Sequence, residues 1–212
     1  TISKAQAQVL TAPEAAGDPR IFANRAQTLV SAGTGSGGTM VYSVNDENGT
    51  YSADLPTGTN ADDYTVYYKV EGDANHSDSD VDSVTVTIAP KTVKDPTIEL
   101  FDEKDAPLVS YTYDGNAKEP TVVVKDGSDI IGETEYNVIY SDNINAGKAT
   151  VNITDNTGGN HTVTGSATFV ISKADITFNP APTAAAITYD GKPHELLVPG
   201  ATSGGEVLYA LN

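Results

Sequence analysis

The sequence predicts an all-β chain of tandem antiparallel β-sandwich modules, the last one incomplete. Three observations carry that expectation. Apolar and polar residues alternate at a period of two, the chain matches itself in two places, and Asp-Gly or Asn punctuates the strands where turns need positive φ.

The self-matches set the boundaries. Ile2-Ser3-Lys4-Ala5 reappears as Ile171-Ser172-Lys173-Ala174, and after a two-residue length difference Asn24 to Asn45 aligns with Gly191 to Asn212. In that stretch Leu29, Gly33, Ser36, Gly37, Gly38, Tyr42 and Asn45 fall on Leu196, Gly200, Ser203, Gly204, Gly205, Tyr209 and Asn212. An ungapped match at an offset of 85 residues lays Asn60 to His76 over Asn145 to His161, each run ending in Asn-His. Module one is therefore placed at residues 1–90, module two at 91–173, and the N-terminal half of a third, resembling module one, at 174–212.

Module one opens with Lys4 to Gln8, whose Ala and Gln favour helix. Its partner Lys173 to Phe178 alternates like a strand, so a strand is predicted at both places. Tyr64 to Val70 sets Val66, Tyr68 and Val70 on one face against Thr65, Tyr67 and Lys69 on the other. Val84, Val86 and Ile88 alternate with Thr85 and Thr87 and run into the joint Ala89-Pro90-Lys91. In module two, Thr121 to Lys125 and Tyr136 to Tyr140 are strands of the same kind. Ala149, Val151 and Ile153 alternate with polar neighbours, and Ala167 to Ile171 leads into Ser172-Lys173-Ala174. Tyr113-Asp114-Gly115 and Tyr189-Asp190-Gly191 are expected to form tight hairpin turns; module one has Ala23-Asn24 there, Asn being the next most tolerant of positive φ. No window of ten or more residues holds a 3.6 period without Gly, Pro or β-branched interruption, which disfavours a β-grasp. Short strands at regular spacing in about 85 residues match a sandwich of Ig-like size.

Composition narrows the function classes. The 212 residues carry 29 acidic and 12 basic side chains, a formal net charge of −17. The Lys and Arg are scattered, so nucleic acid is not an expected partner, and the same field repels an anionic membrane surface. Apolar runs stop far short of the roughly 20 residues that a membrane-spanning helix needs, so no membrane insertion is expected in this fragment. Cysteine is absent, which removes disulfides, thiolate metal sites and thiol nucleophiles. The opening residues hold no charged-then-apolar leader, which leaves export untested by that end.

Several motifs invite chemistry. Gly33, Gly35 and Gly38 match G-x-G-x-x-G, but a strand-like Met40 to Val44 follows where the dinucleotide mechanism needs a helix; a loop is expected. Asp78, Asp80 and Asp82 alternate like the opening of a calcium loop, yet Ser83 stands where that loop needs Gly and Ala89 where it needs Glu. A solvated strand edge is expected, with weak calcium binding as the alternative. His76 and His161 occupy equivalent positions and His194 lies on a turn, without metal-ligand spacing, so the repeated Asn-His is read as turn architecture. No G-x-S-x-G elbow occurs, and none of the 29 carboxylates is singled out as a hydrolytic pair. Tyr51 and Tyr67 are candidate anchors for a sugar ring or a protein partner, against the plainer role of cross-strand packing. Lys4, Lys91 and Lys173 stand at the joints, where an intramolecular Lys-to-Asn bond would staple a disulfide-free sandwich.

Six stretches carry a family likeness: Thr57-Gly-Thr-Asn-Ala61, Tyr64 to Val70, Gly72-Asp-Ala-Asn-His76, Tyr113-Asp-Gly-Asn-Ala-Lys-Glu-Pro120, Asn143 to Val151 and Tyr189-Asp-Gly-Lys-Pro-His-Glu-Leu196. Together they resemble the MBG and YDG-type β-sandwich repeats of large bacterial surface proteins and adhesin-like proteins. The resemblance covers nearly the whole chain, although module one lacks the Tyr-Asp-Gly itself. It implies an extracellular, cell-surface location and a non-enzymatic stalk or spacer function. The implied partners are other modules of the same surface protein, with no catalytic residues carried over. The alternatives are a module that itself binds a host glycan or protein, and a hydrolase.

Overall fold

The computed structural model describes residues 2–17 and 20–210. Among them about 47% lie in strands and none in an α-helix, so the all-β expectation holds. Asn212, matched in sequence to Asn45, lies outside the described residues. The chain divides into two compact units. The first comprises Thr1–Leu108, Pro120–Ser141 and Thr150–Ala167; the second comprises Val109–Glu119, Asp142–Ala149 and Thr168–Asn212. These units are cut differently from the sequence matches, since segments from 91–173 occur in both.

Residues 1–90 contribute β1 (Ala5–Gln6), β2 (Gln8–Thr11), β3 (Arg20–Ile21), β4 (Gln27–Thr28), β5 (Thr34–Ser36), β6 (Gly38–Val44), β7 (Thr57–Gly58), β8 (Asp62–Gly72), β9 (His76–Ser77) and β10 (Asp82–Ala89). The opening stretch is extended, as its sequence partner rather than its own helix propensity predicted. Strand β8 lies between β6 and β10, antiparallel to both, with Tyr42 opposite Tyr68 and Val84 opposite Val66. Its alternation carries through to burial. Val66, Tyr68 and Val70 are buried, and with Phe22, Leu29, Val30, Tyr42, Val86 and Ile88 most of them close one apolar core.

Residues 91–173 contribute β11 (Lys91–Val93), β12 (Thr97–Phe101), β13 (Tyr111–Thr112), β14 (Thr121–Asp126), β15 (Asp129–Ile130), β16 (Tyr136–Ser141), β17 (Gly147–Asp155), β18 (His161–Val163) and β19 (Gly165–Ser172), with one 3-10 turn at Glu133–Glu135. In the first unit β14 pairs antiparallel with β12 and β15, and β16 with β17. Val122, Val124, Ile131, Val151, Ile153 and Val163 are buried there. In the second unit β13 runs alongside the end of β19. The stretch after 173 adds β20 (Thr183–Ala184) and β21 (Leu197–Val198), paired antiparallel.

Three expectations need correction. Pairing is not wholly antiparallel: β1 runs parallel to β9, β3 to β10, β11 to β18 and β13 to β19. Each partner lies tens of residues away, and a connection that long permits either direction, whereas a tight turn permits only the antiparallel one. The turns have the positive φ expected of them, +84° at Gly115, +75° at Gly191 and +51° at Asn24, but none closes a tight hairpin. The strands before Asn24 and Gly115, β3 and β13, pair with β10 and β19, whereas Gly191 lies in the long loop across which β20 and β21 pair antiparallel. Finally, the glycines at 33–38 are a loop only in part: Gly33 precedes β5 and Gly37 turns between β5 and β6 at φ +79°, but Gly35 lies in β5 and Gly38 in β6. A Cβ on Gly35 would strike Val70 and one on Gly38 would strike the Glu71 backbone, so close strand approach explains the glycines.

Candidate functional site

The most built-up polar constellation of the first unit lies where residues 1–90 meet the Asn-His strand of 91–173. Backbone pairing sets it out. Phe22 follows β3 and donates its N–H to the Ala89 carbonyl at 2.8 Å, and Asn24 turns the chain away with its positive φ. The Lys91 N–H donates to the Asn160 carbonyl at 2.9 Å, which starts the β11 and β18 ladder with Lys91 opposite His161. Strands β1 and β9 begin the same way, with the Ala5 N–H donating to the Asn75 carbonyl at 3.1 Å and Ala5 opposite His76.

On this frame Asn160 reaches back into the first stretch. Its Oδ1 accepts the Ala61 N–H at 2.7 Å, and its Nδ2 faces Asn60 Oδ1 at 3.4 Å. The His161 ring stands edge-on to Phe22, with centroids 5.1 Å apart and planes at 78°. Glu135, from the 3-10 turn, accepts the His161 N–H at 2.7 Å and lies 3.1 Å from Nδ1. Lys91 pairs with Asp126 at 2.6 Å, and that hydrogen bond raises the lysine pKa. Beside these contacts opens a cleft of about 730 Å3 with Phe22 and Ile131 on its apolar side and Lys91, Asp129, Glu135 and His161 on its polar side.

Chemically, the constellation is suited to holding backbone against backbone. The Glu135 carboxylate and the Asn160 amide are engaged with neighbouring chain, and the Phe22 and His161 rings pack edge to face. Sequence reasoning located the Asn-Ala pair at 60 and 145 and the Asn-His pair at 75 and 160 as matches, without showing that the first accepts the second. The corresponding Asn145 and Ala146 line a cleft of about 300 Å3 in the second unit, with Tyr113 at the position of Phe22. Glu135 had no sequence signal, since its partner lies 26 residues away.

The acidic run is dispersed among separate partners. Asp78 pairs with Lys69 at 2.6 Å and accepts the Gly72 N–H at 3.0 Å; the lysine hydrogen bond, foremost, lowers the carboxyl pKa. Asp80 accepts from the Gln6 amide at 3.1 Å, and Asp82 accepts from the Tyr68 hydroxyl at 3.2 Å and the Ser83 N–H at 2.8 Å. Among the described residues no three His, Cys, Asp or Glu side chains gather as metal ligands. Asp82 opens β10 and pairs with Tyr68 of β8 on one side; β3 joins the other side only at Ile88 and Ala89, so Asp82 is exposed at an open strand edge.

Tyr51 donates its hydroxyl to the Glu47 carbonyl at 2.9 Å, and the Lys69 ammonium sits 4.9 Å from its ring centroid. Desolvation, chiefly, raises its pKa. Tyr67 is half-buried on β8, opposite Ser83 and Ser43. Each histidine faces one carboxylate: His76 to Asp73 at 2.7 Å, His161 to Glu135 at 3.1 Å, His194 to Asp190 at 2.6 Å. Lys4 donates to the carbonyls of Asp73 and His76 at 3.1 and 3.3 Å, and Lys173 lines the second unit's cleft. No helix among the described residues is long and apolar enough to cross a membrane. Compared with known proteins, the chain matches no family model, no curated protein and no solved structure.

Proposed function

We propose that this chain is a non-enzymatic run of tandem Ig-like β-sandwich modules of the MBG and YDG type. It acts as a stalk or spacer at a bacterial cell surface and presents another domain away from the cell. The observation that supports the reading best is the repeated joint. In both stretches the first strand pairs in parallel with the Asn-His strand, and at the second joint Asn160 and His161 also engage Asn60, Ala61 and Phe22 of the preceding stretch. A joint held by backbone hydrogen bonds, side-chain amides and a ring contact resists bending more than a bare linker of the same length. The net charge of −17 keeps neighbouring stalks soluble and apart.

Solution scattering on the chain and on head-to-tail concatemers tests the reading. The maximum dimension should grow in proportion to copy number. A dimension that stays nearly constant as copies are added overturns it.

A further inference from the structure

Four Asn-x-Ser/Thr triplets occur in the chain, beginning at Asn48, Asn75, Asn152 and Asn160. The triplet is the acceptor motif of N-glycosylation, in which the hydroxyl residue two places on is read together with the asparagine. A transferase must therefore grip all three residues at once, with the asparagine amide free to enter its site. The fold decides which triplet meets both conditions.

Three of them do not. Asn152 lies inside β17 opposite Ile139 of β16, and Thr154 is opposite Asn137. Asn160 gives its amide to the joint, Oδ1 accepting from Ala61 and Nδ2 facing Asn60, and Thr162 is paired with Thr92 in the β11 and β18 ladder. Asn75 is exposed, but its carbonyl accepts the Ala5 N–H at 3.1 Å and Ser77 is paired with Gln6. In each case a ladder has to open before the triplet can be gripped.

The Asn48 triplet lies in a turn between β6 and the bridge of Ser52 to Tyr42, and Asn48 and Thr50 are both exposed and outside any strand. The Asn48 side-chain amide has no hydrogen-bond partner among the described residues. The flanks of the turn are tied down: Asn45 exchanges two hydrogen bonds with the Thr65 backbone, both 2.8 Å, and the Tyr51 hydroxyl donates to the Glu47 carbonyl at 2.9 Å. Within the triplet the backbone bonds are local, the Asn48 and Gly49 N–H groups both donating to Asp46, at 3.0 and 3.2 Å. Gripping residues 48–50 therefore breaks no strand pairing.

We infer that Asn48 is an N-glycosylation acceptor, and the one of the four triplets that the folded chain presents. In the transfer Asn48 Nδ2 bonds to the anomeric carbon of a polyprenyl-diphosphate-linked oligosaccharide. The anomeric C–O bond breaks, the polyprenyl diphosphate leaves with its electron pair, and Nδ2 gives up one proton. The product carries a bulky, hydrated group on the turn that follows β6. The inference rests on the extracellular location proposed above, because lipid-linked donors of this class act outside the cytoplasm.

The test incubates the folded 212-residue chain with a purified single-subunit oligosaccharyltransferase and its polyprenyl-diphosphate-linked oligosaccharide, and reads intact mass and peptide maps. The expected product carries one glycan, on Asn48. Asn48→Gln should lose the mass increment. Thr50→Ala should lose it with Asn48 still in place and the thermal transition of residues 1–90 unchanged, whereas Thr50→Ser should keep it. An unmodified parent chain, an increment that survives Asn48→Gln or Thr50→Ala, or a glycan on Asn75, Asn152 or Asn160 of the folded chain overturns the inference. Purified components read the acceptor apart from location, so a failure here leaves the scattering test of the stalk standing, and a failed stalk leaves this result standing.

Discussion

Asp114 shows what a turn residue does besides turning the chain. Its carboxylate takes the Lys118 ammonium at 2.6 Å and the Asn116 N–H at 2.9 Å, and the lysine hydrogen bond, foremost, holds its pKa at about 2 instead of 3.8. A carboxyl depressed by folding contributes stability that is present above its ordinary value and is lost as pH falls toward about 2. Carboxyl resonances followed by NMR should place the Asp114 midpoint near about 2, and Lys118→Ala should move it up toward 3.8; a midpoint unmoved by that change refutes the cause assigned here. Asp190 occupies the same position with His194 at 2.6 Å where Asp114 has its lysine. The turn itself depends on backbone. Asn24 at φ +51° should tolerate Gly within about 0.5 kcal/mol, whereas Asn24→Val should cost about 1–2 kcal/mol in chemical denaturation. Equal stability of the two variants would remove the positive-φ argument.

At the scale of elements, identical local pairing yields different energetics because cover is supplied by strands elsewhere. Leu29 is fully buried under β8 and β10, so Leu29→Ala should destabilise the first unit by about 2–5 kcal/mol. Leu196→Ala, at a residue 55% exposed on the matching backbone, should change stability by less than about 0.5 kcal/mol. Paired urea titrations decide the matter, and similar losses at both sites would mean that Leu196 is covered in solution. The alternation that identified β8 and β10 was legible because a period of two is a property of each strand's own sequence. The reappearance of the β2 and β5 register at Phe178 and Thr202 fits the self-match, but the register itself was not legible from the residues alone. The parallel partners did not, since nothing local in Ala5–Gln6 distinguishes β9 from any other edge.

For the molecule as a whole, the contacts around Asn160 decide whether residues 1–90 and the strands of 91–173 in the first unit respond together. Asn160→Ala strips the acceptor from the half-buried Ala61 N–H, an expected cost of about 1–3 kcal/mol. Calorimetry should then separate the melting of residues 1–90 from that of the first unit's strands of 91–173, which are expected to melt together in the parent chain; an unchanged profile would mean that the Asn160 contacts carry no coupling. The candidate residues for ligand binding and metal were chosen by type and spacing, and the structure distributes them. Tyr51 is engaged by Glu47 and Lys69, and Asp78, Asp80 and Asp82 each face a different partner. Spacing along a strand sets which face a carboxylate takes, but partners such as Lys69 and Gln6 arrive from other strands.

The sequence by itself determined the all-β class, the strands of alternating pattern, the self-matched stretches and the positive φ at Asn24, Gly115 and Gly191. The alternation and the positive φ are written in a few adjacent residues, where side-chain period and sterics act without reference to the rest of the chain, and the self-matches are read from residue identity alone. Only the tertiary structure decided that β1, β3, β11 and β13 pair in parallel, that glycines at 35 and 38 make room for Val70 and Glu71, and that Asn160 joins Asn60 and Ala61. It also decided that Leu29 is buried while Leu196 is exposed. Such outcomes depend on which distant segments close upon one another, a choice made by the balance of loop-closure entropy against the whole core rather than by any local pattern.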